Sequence, residues 1–122
     1  LAPAHEGHLP VWSQGNVYLN GAQAWEHEQA GLVDNTHPIT VEVEKRDGRP
    51  VLLTNVYQVI DQFRCSMVNT QVLGKAFEPE EGYENPDGTP ITFDRDYLGN
   101  HRGAHVLPGP FASPLDTQTN LW

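Results

Sequence analysis

One cysteine, Cys65, and one methionine are all the sulfur in this 122-residue chain. No internal disulfide can form, which excludes a small secreted fold stapled by bridges. Long apolar runs are missing as well. Nothing approaches the roughly 20 residues that a membrane-spanning helix requires, so insertion into a bilayer is not expected. Bases are scarce: seven Lys and Arg face sixteen Asp and Glu, for a formal net charge of -9. Such a chain repels phosphate backbones and anionic lipid, and its partners are expected to include neither nucleic acid nor membrane. The signatures of common chemistry are also missing. There is no GxSxG, GxGxxG, Walker-type GK[ST], HExxH or twelve-residue EF-hand loop, and Lys75 of Gly74-Lys75 precedes an alanine. No Asn-x-Ser/Thr acceptor occurs, and Leu1-Ala2-Pro3-Ala4 lacks the basic and apolar regions of a signal peptide. A chain opening on Leu1 fits a processed or exported product somewhat better than a cytoplasmic one, and the compartment is otherwise open.

What the chain does have is punctuation. Eleven glycines and ten prolines, with hydrophobic residues at 38%, imply short elements and long connections. The length suits a single domain spanning 1-122. Its most legible stretch starts at Ile39-Thr40-Val41-Glu42-Val43-Glu44, where strict alternation puts Ile39, Val41 and Val43 on one face. Lys45 to Pro50 supplies a turn, and Val51-Leu52-Leu53-Thr54 returns as an apolar run. The pair reads as an antiparallel hairpin over 39-54 with a face that needs a cover. Val56, Ile60, Phe63 and Met67 recur at helical spacing, which predicts a covering helix over 56-68. The β-branched Val56, Val59 and Ile60 keep a longer strand open as the alternative.

Around this centre the pattern is weaker. Residues 1-15 form an irregular arm, Asn16 to Gly21 a short strand closed by Asn-Gly, and Ala22 to Ala30 a short helix ending at Gly31, with a strand as the competing assignment. Glu78 to Gly88 is an exposed acidic loop, and Ile91-Thr92-Phe93 a further strand. The tail 104-122 carries Pro108, Pro110 and Pro114 and should run extended over a surface that takes Val106, Leu107, Phe111, Leu115 and Trp122. No internal repeat is evident. The fold class implied is α+β and strand-dominated, with an all-β barrel or sandwich as the alternative.

Two histidine pairs, His5/His8 and His101/His105, invite a metal reading, because neutral imidazole is a common ligand. The set His101, His105 and Asp96 would hold a divalent metal with mixed nitrogen and oxygen ligands, the one cofactor class these side chains suggest. Without a metal, His105 and Asp94 could act as a base and its orienting carboxylate. Trp25, Glu28 and Tyr97 mix aromatic rings with acid in the manner of a saccharide-binding surface. Against each stands the plainer reading of surface acids, loop histidines and a core tryptophan. Cys65, near the apolar stripe and without a neighbouring base, reads as a structural thiol.

Three functions follow. The first is a small acidic subunit of a larger homo- or hetero-oligomeric assembly, associating with a protein partner or with itself through the terminal arms, because Trp12, Phe111 and Trp122 exceed what so short a chain is expected to bury. The second is a hydrolase or lyase acting on a polar, saccharide-like substrate. The third is a non-catalytic ligand-binding module.

Overall fold

A computed structural model describes residues 11-76 and 78-122 of the chain. Among these residues the fold is strand-dominated, with two short helices and no closed barrel. His5 and His8 lie outside the described residues.

The chain enters through β1 (Ser13–Gln14) and β2 (Val17–Leu19), turns back, and lays β3 (Glu28–Gln29) and β4 (Leu32–Asp34) alongside them. Both pairings are parallel, Ser13 opposite Glu28 and Val17 opposite Leu32, so each partner lies fifteen residues further along. Parallel neighbours joined without a crossover helix are the geometry of a solenoid, in which one turn of chain stacks on the previous one. The corner repeats too. Gly15 and Ala30, again fifteen apart, both take positive φ, +69° and +52°. The helix expected over 22–30 does not form. Its last residues enter the parallel ladder, and the turn ahead of them closes with Glu28 N–H donating to the Trp25 carbonyl at 2.9 Å.

The second unit is an antiparallel sheet in the order β5 (Val41–Arg46), β6 (Arg49–Thr54), β9 (Gln118–Asn120). Asp47 and Gly48, both at positive φ, make the β5–β6 reversal. In register, Val43 opposes Leu52, and Leu52 opposes Thr119. Val43 and Leu52 therefore share one face, yet only part of it is covered. Ile39 is buried and Leu52 packs on the core, whereas Val41 and Val43 stand 64% and 61% exposed. The predicted cover is shorter than its pattern: α1 spans Val56–Ile60 only. Beyond it the chain becomes β7 (Cys65–Ser66), drawn into antiparallel pairing with β8 (His105–Val106), so the stripe residues Phe63 and Met67 are not on the helix. A second short helix, α2 (Thr70–Leu73), is capped by Asn69, whose side chain accepts from Val72 N–H.

The core collects Tyr57 and Ile60 from α1 and Leu107 and Phe111 from the Pro-rich tail. Val17, Leu32, Leu52, Leu115 and Leu121 pack around them. Leu107, at 1% exposed, is the most enclosed of these. The tail is thus part of the core rather than a strap over it, and β9 makes it the third strand of the sheet. Its last residue, Trp122, is a large side chain that stays open, at 71% exposed. The 78–88 loop is exposed at every described position. The strand expected at 91–93 is reduced to a single bridge, Asn69 to Thr92, with Ile91 N–H bonded to the Thr70 hydroxyl.

Candidate functional site

Glu28 is the first residue of the second coil, and its carboxylate is drawn into the first. It accepts from the Ser13 hydroxyl, the Asn16 backbone N–H at 2.9 Å, the Asn16 side-chain amide at 3.0 Å and the Tyr18 hydroxyl at 2.9 Å. The Ser13 bond, followed by those from Asn16 and Tyr18, outweighs partial burial and holds its pKa down at about 2. Gly31 leaves the room this needs, since a Cβ there would lie 2.7 Å from Glu28 Cγ. Trp25, in the turn just before Glu28, is half-buried and meets the His27 ring edge-on at 4.8 Å.

The other sequence candidates cluster on the loop that follows residue 93. Asp94 places a carboxylate oxygen 3.7 Å from His101 Nδ1, and its carbonyl accepts from Arg102 N–H at 2.8 Å. Asp96 faces inward on its own loop: it accepts from Leu98 N–H at 2.9 Å, Asn100 N–H at 2.7 Å and Ala112 N–H at 2.8 Å. Burial alone raises its pKa, but these donors reverse the sign and leave it lowered. Tyr97 is exposed and sets its ring edge-on to Phe111, centroids 6.0 Å apart. His105 opposes Ser66 in the β7–β8 pair. Among the described residues, no three His, Cys, Asp or Glu side chains converge closely enough to hold a metal ion.

A cavity of about 550 Å³ opens between the first coil, α1, and the segment 102–110. That volume lies in the range of small-ligand sites, roughly 300–1,000 Å³. Its walls are chiefly apolar, from Val17, Val56, Ile60, Val106 and Leu107. The Tyr57 phenol and the Cys65 thiol also line it, and burial pushes both pKa values up while the charge of Arg102 pulls the other way. Arg102 is the charged residue of the lining. Its guanidinium donates to the Leu107 carbonyl at 3.4 Å and to the Gly109 carbonyl at 2.6 Å, which fixes the chain around the prolines. Its Nε is enclosed and has no hydrogen-bond partner.

Neither Arg102 nor Tyr57 stands out as a site residue in the sequence, where His101 and His105 draw attention away from the arginine between them. A signal was nonetheless present. Arg102 is the only Lys or Arg after Arg95, set within the apolar and Pro-rich end of a strongly acidic chain.

The geometry defines a small mostly-β fold in which a stacked parallel coil, an antiparallel sheet and a Pro-rich segment share one core. No protein-family model matches the chain, and no curated protein matches it. Among solved structures, the chain is similar to XylC in its complex with xylose, with a TM-score of 0.75 and 24% sequence identity. The match covers 93% of this chain and 18% of XylC, so the chain spans less than a fifth of the length of the protein whose fold it shares.

Proposed function

We propose that this chain is one layer of a larger saccharide-handling assembly and contributes the Tyr57–Arg102 cavity to it. The observation that carries the reading is the fold likeness of 93% of the chain to part of a protein solved with xylose. Two features of the surface support the assembly half of it. Solenoids need about three stacked coils for stability, and two are stacked among the described residues, with the outer edges of β1 and β4 unpaired by any described strand. Val41, Val43 and Trp122 also form open apolar surface on and beside the antiparallel sheet. The cavity supports the saccharide half, since apolar walls with a few polar groups suit the C–H faces and hydroxyls of a sugar ring. Catalysis by Asp94 with His105, or a metal on Asp96, His101 and His105, is a further step that this reading does not need.

The test has two arms. Analytical ultracentrifugation of the chain at micromolar concentration should give a mass above 13.6 kDa, either alone or with its co-purifying partner. Titration with xylose and glucose, followed by amide chemical shifts, should move resonances of residues 15–17, Val106, Leu107 and Gly109. A strictly monomeric chain that no sugar perturbs overturns the proposal.

A further inference from the structure

We infer that the cavity selects an acidic saccharide, with Arg102 pairing the carboxylate of a uronic-acid ring. The inference rests on the saccharide reading above and names the substrate class of the same site. Among the described residues Arg102 is the one charged side chain lining the cavity, and no acidic residue lines it. Among the described residues no ion pair reaches it either, although the chain carries sixteen Asp and Glu. Of the five N–H donors of a guanidinium, the two bonds to Leu107 and Gly109 engage only part. The Nε donor is shut away from solvent with nothing to donate to.

A cation held against apolar walls is costly unless an anion meets it. The fork of the guanidinium matches a carboxylate in plane and spacing, which a lysine would not. A neutral sugar offers no charge to answer Arg102. A bare small anion answers the charge but leaves the walls of Val17, Val56 and Leu107 without a partner. The Tyr57 hydroxyl lies on the same side, 3.9 Å from where a Cβ on Gly109 would stand, and is placed to bond a ring hydroxyl. One ligand class satisfies cation, phenol and apolar wall together: a ring with C–H faces, hydroxyls and a carboxylate.

The experiment uses glucuronate, glucose and acetate, because the first two differ only in the carboxylate and the third has no ring. The Arg102 Nε–H resonance, protected by its enclosure, is followed in a nitrogen-proton spectrum of the whole chain. Glucuronate should shift it saturably, with at least ten-fold higher affinity than glucose or acetate. Arg102→Lys, which keeps the charge but not the planar fork, should lose that preference by ten-fold or more. Glucose binding as tightly as glucuronate overturns the inference and leaves the saccharide reading standing. Acetate equalling glucuronate overturns it too. Silence from all three in the wild-type chain removes both readings, and this needs no variant to fold.

Discussion

Gly15 and Ala30 occupy the same corner of successive coils, and the chain treats them unequally. A left-handed backbone costs an ordinary L-residue roughly 1–2 kcal/mol, so Ala30→Gly should raise unfolding stability by about 1 kcal/mol in denaturant titration. Gly15→Ala should do the reverse and more, by roughly 2 kcal/mol, because its Cβ would also lie 2.9 Å from that of Cys65. Equal effects at the two corners would mean that they are not equivalent. Glu28 contributes to the acid limb of stability, as does Asp34, which is likewise held at about 2. The folded pKa of Glu28, about 2, lies below the ordinary 4.5, so the unfolded chain takes up the proton first as pH falls. The stabilisation is complete above about pH 4.5 and is lost towards pH 2. Glu28→Gln should lower the melting temperature at pH 7 and flatten its dependence between pH 4.5 and 2. An unchanged pH profile would show that the carboxylate contributes nothing. Glu28 was visible in the sequence only as an acid next to aromatics, since Ser13, Asn16 and Tyr18 become its neighbours once the chain has coiled.

At the scale of elements, β5 separates what pattern can tell from what it cannot. Alternation puts Val41 and Val43 on one face, and the register sets Leu52 opposite Val43. What alternation cannot supply is the neighbour: α1 stops at Ile60, and the core reaches β6 without reaching β5. On the pattern alone, Val41→Asp would bury a charge and be severe. Given its exposure, the expected cost in the isolated chain is within about 0.5 kcal/mol, while the same change should abolish association in the ultracentrifuge. A large drop in melting temperature would mean that β5 is covered. Residues 56–68 fail differently. Their helical stripe is real, but Cys65 and Ser66 gain a ladder with His105 and Val106, and tertiary pairing overrides a weak local preference. The stacked coil was illegible for a third reason. Its two turns share spacing rather than identity, so Gly15 answers to Ala30 and Val17 to Leu32 without a recognisable repeat.

For the whole molecule, the tail holds the layers together. Leu107 and Phe111 meet α1 in the core, and Gln118–Asn120 complete the sheet. Phe111→Ala should therefore cost about 3–5 kcal/mol, and a smaller loss on denaturant titration, under about 1 kcal/mol, would return the tail to the role of an external strap. The sequence showed these apolar residues and their need for a surface, but proline spacing alone did not reveal that the surface was the chain's own interior. The fifteen-residue offset of the coil has a consequence of another kind, for how such a chain can change length. It acts as a ruler: a residue lost between Asn16 and Glu28 shifts every later position by one, turns the side chains of β3 and β4 to the opposite face and carries the Glu28 carboxylate away from Ser13. No such measure applies to the exposed loop 78–88. Deleting Ala24 should therefore lower the melting temperature far more than deleting Glu81, a comparison that thermal unfolding of the two variants makes directly.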